Sequence, residues 1–228
     1  PEVSGLMAAV GFDWLVVDAE HSALSTRDVQ DHLRAMAVHR CPGIVRLAAN
    51  DPVRIKRALD AGAGGIIVPM IENAEQLVEV RDACRWPPAG TRGVAFSRAN
   101  LFGKHFEQYQ VEAQAPLLIA MIEHRRAIDN LDDILAVDGL DAIMIGPYDL
   151  SASMNLTAQF SHLDFKEVMA EILRKCNDVG VAAGVHVVQP SKSELDQRLN
   201  EGYRFIAYSI DAVMLGDSSK CPIEEGGL

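Results

Sequence analysis

Residues 43–71 read GIVRLAANDPVRIKRALDAGAGGIIVPMI, with a short apolar run at each end and a polar segment of helical periodicity between them. The apolar runs are rich in Ile, Val and Leu and do not alternate regularly with polar residues. Runs of this kind are typical of parallel strands that are covered on both faces. The stretch therefore predicts a strand–helix–strand unit with its helix near 51–61.

The same alternation continues along the 228-residue chain, because each further apolar run precedes a segment of helical periodicity. Helices are predicted near 26–39, 51–61, 73–84, 125–136, 164–179 and 191–201, with an irregular stretch at 89–104. Repeated βα units favour a (β/α)8 TIM barrel, with a doubly wound sheet as the alternative. Only seven strands can be counted. We therefore expect residues 1–228 to form a single barrel domain that lacks its first strand and is incomplete at the N-terminus.

Composition narrows the classes of partner. The net charge is −11 and no basic stretch is interleaved with aromatic residues, so nucleic acid is not an expected partner. No signal peptide or apolar run of transmembrane length is found, so we expect a cytoplasmic protein without a membrane partner. The cysteines Cys41, Cys84, Cys176 and Cys221 form no CxxC pair, which favours reduced thiols. Residues 216–228 are too polar and Gly-rich to predict a strong closing helix.

The residues at the points where the predicted strands end are mostly ionisable or polar. They are Asp18, Glu20, His21, Arg46, Pro69, Glu123, Tyr148, Asp149 and His186. The carboxyl ends of barrel strands meet on one face, and that face holds the active site of such enzymes. The sequence therefore predicts an active site built from these positions.

Two carboxylates in this set suit a hard divalent cation. Glu123 and Asp149 follow adjacent strands, and Mg²⁺ or Mn²⁺ prefers oxygen ligands and keeps positions open for water and substrate. The alternative interpretation is structural: Asp149 would cap the following turn, and Glu123 would pair with Arg125 or Arg126.

A cation and a base complete the predicted site. Arg46 stands where a substrate carboxylate or a developing oxyanion would need a fixed planar donor, although it could instead bridge strand ends. His21 follows Asp18 by three residues and is our candidate general base, with a satisfied histidine in a polar turn as the alternative. His186 could be a core residue and is left out of the predicted site.

Several segments together resemble one known family. They are GFDWLVVDAEH (11–21), residues 45–71, WPPAGTRGV (86–94) with SRANLFG (97–103), residues 122–154, and EGYRFIAYSID (201–211). The chain resembles the HpcH/HpaI aldolases over nearly its whole length. These are class II, metal-dependent pyruvate aldolases of the catabolism of aromatic compounds and sugar acids. Their substrates are 4-hydroxy-2-oxo acids, such as 2,4-dihydroxyhept-2-ene-1,7-dioate and 2-keto-3-deoxy sugar acids.

The resemblance implies roles for individual residues. His21 would be the catalytic base and Arg46 the transition-state stabiliser, while Asp60 would raise the basicity of a histidine. One divalent ion, Mg or Mn with Co and Zn as further candidates, would bind Glu123 and Asp149. The pyruvyl part would contact the position of Met121 and the backbone of Tyr148 and Asp149. Two positions depart from the family: Met121 stands where many members have Gln, and Asn155 where Gly is frequent.

The implied reaction is the reversible cleavage of a 4-hydroxy-2-oxo acid to pyruvate and an aldehyde, through a pyruvate enolate stabilised by the metal. This makes the chain an aldehyde-lyase with a small-molecule 2-oxo acid and an aldehyde as its partners. A Schiff-base route would need a lysine at a strand end, and we expect Lys56, Lys104, Lys166, Lys175, Lys192 and Lys220 in helices or loops. A lyase of the citryl-CoA type and a non-catalytic barrel kept for binding or assembly remain alternatives.

The position of Asp60 predicts a shared active site. Asp60 ends the helix that follows the strand of Arg46, and nine helical residues would carry it roughly 13 Å away from the catalytic face. If it acts on a histidine, that histidine belongs to a neighbouring subunit. The family resemblance likewise implies a homo-oligomer, with the last helix exchanged between the subunits of a dimer and three dimers in a hexamer.

Overall fold

The seven strands of the fold are hydrogen-bonded in the order in which they occur in the chain, and every neighbouring pair is parallel. The computed structural model describes residues 1–219. The strands are β1 Leu15–Asp18, β2 Gly43–Arg46, β3 Gly65–Val68, β4 Leu117–Ile122, β5 Ala142–Ile145, β6 Ala182–Val187 and β7 Phe205–Tyr208. A doubly wound sheet would reverse its strand order at one point, so this order excludes that alternative.

Helices connect the strands, as the repeat predicts. They are α1 Glu2–Ala9, α2 Thr26–Val38, α3 Pro52–Asp60, α4 Ala74–Cys84, α5 Phe106–Glu112, α6 Arg125–Asp129, α7 Leu131–Leu135, α8 Pro147–Ser153, α9 Leu163–Val179, α10 Lys192–Glu201 and α11 Asp211–Ser218. Side chains at the N-caps fix several helix starts; Ser25 and Asp28 form a capping box before α2, and Asp51 caps α3. The helix predicted at 125–136 is interrupted at Asn130, whose amide donates to the carbonyl oxygens of Glu72 and Arg126.

The sheet is curled, and its two faces pack differently. The outer face packs against the helices through a large core that includes Val45, Ile66, Leu118 and Ile143. The inner face holds a separate apolar cluster of Ile44, Ile67, Ile119, Met121, Ala142 and Met144, joined by Trp14, Val16, Ala182, Phe205 and Ala207. Because side chains alternate between the faces of a strand, residue parity decides which polar groups face the interior.

The edge strands β1 and β7 approach each other through side chains. The rings of Trp14 and Phe205 stack with their centroids 4.4 Å apart. In the part of the chain described here, β1 pairs only with β2 and β7 only with β6. The prediction of seven parallel strands is therefore confirmed, whereas a closed eight-stranded barrel is not present among residues 1–219.

Other sequence predictions have definite outcomes. Cys41, Cys84 and Cys176 are buried free thiols, and burial raises the pKa of Cys84 and of Cys176 to about 12. The helix α11 ends at Ser218, so most of the tail 216–228, with Lys220 and Cys221, lies outside the described residues. No described helix has both the length and the apolar character that a membrane crossing requires.

Gly65 allows β3 and β4 to approach closely. A Cβ atom built on Gly65 would come within 2.7 Å of the Leu117 carbonyl oxygen and closer still to the Leu117 Cβ, so the strands would have to separate. We expect Gly65→Ala to lower the free energy of unfolding by about 1–3 kcal/mol through overpacking. The matched control is Gly216→Ala in α11, where an added Cβ meets no atom within 4 Å. Urea unfolding midpoints of both variants test this, and equal effects would contradict it.

Candidate active site

An ion pair joins the ends of the first two strands. Asp18 and Arg46 are register partners on β1 and β2, with Arg46 Nε 2.9 Å from Asp18 Oδ1 and Arg46 Nη2 2.6 Å from Asp18 Oδ2. Burial raises the pKa of the Asp18 carboxyl, but the hydrogen bonds and charge of Arg46 outweigh burial, so this pKa lies below its ordinary value. The bidentate geometry fixes the plane of the guanidinium.

The same carboxylate organises the loop that carries His21. Asp18 Oδ1 accepts hydrogen bonds from the backbone N–H groups of Glu20, at 3.0 Å, and His21, at 3.3 Å. Ser22 donates its hydroxyl to the Asp18 carbonyl oxygen. The side chain of His21 is 66% exposed, so its imidazole faces solvent at the edge of the site.

Glu20 lies between the cation and the candidate base. Its Oε2 atom is 3.4 Å from Arg46 Nε and 3.5 Å from His21 Nε2, and this buried oxygen accepts no hydrogen bond within residues 1–219. Burial raises the pKa of Glu20 above its ordinary value, although Arg46 acts in the opposite direction. The sequence analysis noted Glu20 at a strand end without assigning it a role. The signal was available in its position between Asp18 and His21.

Glu123 is the buried acid of the site, with 5% of its surface exposed. Its Oε1 accepts a hydrogen bond of 2.7 Å from the backbone N–H of Met70, a residue with φ of +53° just after β3. Burial raises the pKa of Glu123, and the nearby carboxylates Glu20 and Asp149 raise it further. Gly146 makes room for this side chain, because a Cβ there would lie 2.8 Å from Glu123 Oε2.

The structural alternatives for the two predicted ligands are not observed. Arg126 pairs with Glu72 at 2.5 and 2.7 Å, and Arg125 pairs with Asp129, so neither arginine neutralises Glu123. Asp149 lies in the first turn of α8, where no side chain makes a capping hydrogen bond. Its exposed carboxylate is close enough to Glu20 and Glu123 to raise the pKa of both.

The charge distribution suits a divalent cation. Asp18, Glu20 and Glu123 lie around the Arg46 guanidinium, and Asp18 already occupies two of its donors. Asp149 lies near Glu20 and Glu123. No group of three or more His, Cys, Asp or Glu side chains in the described part of the chain is arranged to hold a metal by itself. Glu123 and Asp149 thus offer a two-carboxylate set that fits a hard ion completed by water and substrate oxygens.

Three further residues that the resemblance singles out, Met121, Tyr148 and Asn155, lie at different depths from the protein surface. Met121 is buried in the apolar cluster beneath Gly146, so it offers a thioether and methyl surface in place of an amide. Tyr148 is exposed at the start of α8 and packs edge-on against Phe160. Asn155 has φ of +60°, a left-handed conformation that Gly favours and Asn tolerates, so Asn can stand here without rearrangement of the loop.

Asp60 lies away from these groups. It ends α3 and has a buried Oδ1 atom without a hydrogen-bond partner among residues 1–219, whereas the described ion-pair partner of His21 is Glu20. Burial raises its pKa, against the charges of Arg92 and Lys56. Arg92 is itself 3% exposed, lies over the rings of Trp86 and Tyr109, and has unpartnered Nε and Nη1 atoms in the same region. The sequence analysis overlooked Arg92, which stands in the stretch it treated as irregular.

The lysines do not support Schiff-base chemistry. Lys56, Lys166, Lys175 and Lys192 lie in helices and Lys104 in a turn, while Lys220 lies outside the described residues. Within residues 1–219, no lysine stands on a strand. The described site is therefore one of carboxylates, a guanidinium and an imidazole.

The chain is similar to known proteins over nearly its whole length. The family model described as HpcH/HpaI aldolase/citrate lyase matches residues 1–217. The hydroxypyruvate/pyruvate aldolase of Roseobacter denitrificans is 38% identical over 218 residues, which cover 94% of this chain and 84% of the relative. The 4-hydroxy-2-oxovalerate aldolase of Novosphingobium aromaticivorans is 38% identical over 214 residues, which cover 93% of this chain and 80% of the relative.

Solved structures are also similar to the fold of this chain. A HpcH/HpaI aldolase/citrate lyase family protein from Burkholderia cenocepacia superposes with a TM-score of 0.89 at 34% identity, covering 95% of this chain and 86% of that one. The citrate lyase beta subunit of M. tuberculosis, solved with oxaloacetate and magnesium, has a TM-score of 0.59, 19% identity and coverage of 91% of this chain and 86% of that one. At that identity the likeness shows the fold alone.

The Asp18–Arg46 pair should give the protein a specific dependence on pH. Because folding lowers the pKa of Asp18, the stabilisation is present above its ordinary value near 3.8 and is lost as the pH falls through the folded value. We expect Asp18→Asn to cost about 1–2 kcal/mol at pH 7, discounted for partial exposure, and progressively less toward pH 3.

Urea unfolding between pH 7 and pH 3 measures this difference. Asp178→Asn is the matched control, since Asp178 forms an exposed i,i+4 pair with Arg174. That variant should change stability by less than about 0.5 kcal/mol. A loss in Asp18→Asn that does not change with pH would refute the ion-pair explanation.

Proposed function

The chain belongs to the HpcH/HpaI aldolase/citrate lyase family, and on that premise we propose that it is a divalent-metal-dependent aldolase. It reversibly cleaves a 4-hydroxy-2-oxo acid into pyruvate and an aldehyde. The observation that carries the proposal is the fixed guanidinium of Arg46, which lies at the same edge of the sheet as Glu123 and Asp149. We also propose that an eighth strand completes the barrel between β1 and β7.

Glu123 and Asp149 are the residues that would hold the metal. When bound, a divalent ion supplies Lewis-acid polarisation of the 2-oxo acid. Its charge would also offset the repulsion among Glu20, Glu123 and Asp149, which raises the pKa of both glutamates. The backbone N–H of Met70 leaves Glu123 Oε2 as the less committed oxygen.

Arg46 acts on the negative charge that develops at the 2-oxo group as the C3–C4 bond breaks. Asp18 holds the guanidinium plane before substrate arrives, so little reorganisation is needed during the reaction. A lysine would keep the charge but lose the bidentate fork. Arg46 is therefore assigned to the transition state rather than to binding alone.

His21 moves the proton. In the cleavage direction its imidazole takes the proton from the C4 hydroxyl, directly or through water; the C3–C4 electron pair passes toward the 2-oxo group, and the aldehyde leaves. Protonation of C3 then yields pyruvate. Glu20 Oε2, 3.5 Å from His21 Nε2, stabilises the protonated imidazole. The backbone of Tyr148 and Asp149 and the methyl surface of Met121 bound the pyruvyl part.

The names of the relatives suggest the substrate class. They include a hydroxypyruvate/pyruvate aldolase, a 2-keto-3-deoxy-L-rhamnonate aldolase from Klebsiella pneumoniae and a 4-hydroxy-2-oxovalerate aldolase. Hydroxypyruvate and pyruvate are 2-oxo acids, and the other two compounds carry a 2-oxo acid at the reacting end and differ in the aldehyde part. We propose that the substrate of this chain carries the same 2-oxo acid group.

Metal dependence is tested by pyruvate release. The protein should release pyruvate from a 4-hydroxy-2-oxo acid such as 4-hydroxy-2-oxovalerate, lose this activity in EDTA and regain it with Mg²⁺ or Mn²⁺. Asp149→Ala should be inactive but folded, because Asp149 is an exposed residue at a helix start. Asp178→Ala, on an exposed helix face, should remain active. Full, EDTA-sensitive turnover in Asp149→Ala would exclude Asp149 as a ligand, and EDTA-insensitive turnover would exclude the metal.

A homo-oligomer with shared active sites is proposed from Asp60. Its buried Oδ1 has no hydrogen-bond partner in the described chain, and burial raises its pKa despite the charges of Arg92 and Lys56. A histidine of a neighbouring subunit would supply the missing donor, and the carboxylate would raise its basicity.

Hybrid oligomers test this arrangement. Asp60→Ala and His21→Ala should each be nearly inactive, and co-assembly of the two should restore part of the activity, since some interfaces then combine an intact Asp60 with an intact His21. Native mass spectrometry must confirm that the assemblies are mixed. Mixed oligomers without recovered activity, or an active monomer, would overturn the shared-site proposal.

A further inference from the structure

His186 faces the interior of the curled sheet. It lies on β6, where Ala182 packs in the inner apolar cluster and Ala183 and Val185 pack against the helices. Residues 182, 184 and 186 therefore point inward, because side chains alternate along a strand. The sequence analysis left His186 out of the site because it could be a core residue, and the structure leaves it half-buried at the carboxyl end of its strand.

The register places His186 at the level of Glu123. Met121 pairs with Met144, and Met144 pairs with Gly184, so these three residues form one inward layer. Two residues further along the same strands come Glu123, Gly146 and His186. Glu123 and His186 are thus separated by one intervening strand, about 10 Å along the sheet, with a glycine between them.

The charge of Arg46 reaches His186 as well as Glu123. Burial lowers the pKa of His186, and the guanidinium of Arg46 lowers it further, whereas the Ser209 carbonyl acts in the opposite direction. The same guanidinium lowers the pKa of Glu123. Arg46 follows Ile44 of the inner apolar cluster by two residues, so Arg46, Glu123 and His186 all point to the inner face at the carboxyl end of the sheet.

A single hydrogen bond fixes the tautomer of His186. Its Nε2 lies 3.1 Å from the carbonyl oxygen of Ser209, a residue with φ of +63° directly after β7. A carbonyl oxygen can only accept, so Nε2 carries the proton, and a neutral ring then presents Nδ1 as an acceptor. Within residues 1–219, Nδ1 makes no hydrogen bond.

We propose that His186 is a specificity-determining residue, whose Nδ1 accepts a hydrogen bond from a hydroxyl group on carbon 3 of a 2-oxo acid. The site then accepts a 3-hydroxy-2-oxo acid as a donor in addition to pyruvate. This inference rests on the proposed function, because it requires Arg46 and Glu123 to lie around the 2-oxo acid.

The position of His186 along its strand decides which part of the substrate it would contact, and that part is the 2-oxo acid. His21, in the loop after β1, stands above the strand ends, beside the C4 hydroxyl of the part that leaves as the aldehyde. His186 stands within its strand at the level of Glu123, next to the part of the substrate that Arg46 holds. Carbon 3 is adjacent to the 2-oxo group, so a hydroxyl there lies within the same layer.

Two substitutions separate the acceptor from the bulk of the ring. His186→Leu removes both nitrogens and keeps an apolar side chain, which suits a half-buried position. His186→Asn retains a polar amide near the position of Nδ1. His39→Leu, at an exposed position after α2, is the matched control.

The experiment compares pyruvate with hydroxypyruvate as donors to acetaldehyde in the presence of Mg²⁺. In His186→Leu the kcat/KM ratio of hydroxypyruvate to pyruvate should fall about 3- to 10-fold, as expected for one neutral hydrogen bond. His186→Asn should keep the ratio within about twofold of the wild type, and His39→Leu should not change it. Calorimetric Kd values for the two acids without aldehyde should shift in the same direction.

The outcomes distinguish this inference from the proposed function. Failure of the wild type to use either donor would overturn the aldolase proposal. A wild type that uses pyruvate but neither binds nor uses hydroxypyruvate would overturn only the role of His186. An unchanged donor ratio in an active His186→Leu, or an equal loss in His186→Asn, would do the same.

Discussion

The bidentate pair between Arg46 and Asp18 is the constraint on which the rest of the site depends. It forms because β1 and β2 are parallel and in a register that places the two side chains opposite each other. Asp18 also accepts hydrogen bonds from the backbone N–H groups of Glu20 and His21, and these bonds shape their loop. One carboxylate therefore fixes both the orientation of the cation and the path of the chain toward the candidate base.

The remaining carboxylates are arranged at a cost to stability. Glu20 is half-buried and Glu123 is buried, and burial raises the pKa of each above its ordinary value. Removing charged groups from water costs free energy unless partners compensate for it, and the described chain supplies Arg46, the imidazole of His21 and the Met70 N–H. Such uncompensated charge is common where function, rather than stability, selects the residues.

Much of this arrangement was readable from the sequence, because it depends on local pattern. The strand–helix repeat predicted seven parallel strands, and the carboxyl ends of those strands predicted Arg46 and Glu123 on one edge. Contacts between distant segments were not readable. The pairing of Arg126 with Glu72, the burial of Arg92 and the inward direction of His186 all depend on register and loop paths that no local pattern encodes.

With Arg46 fixed by Asp18, this edge of the sheet would stabilise the enolate form of pyruvate. The most direct measurement is exchange of the pyruvate methyl protons with D₂O, followed by proton NMR without any aldehyde. We expect exchange only when the wild-type protein and a divalent ion are both present. In Arg46→Lys the exchange should be slower by on the order of 10²-fold. Exchange at the wild-type rate in Arg46→Lys, or no exchange with the metal-loaded wild type, would contradict it.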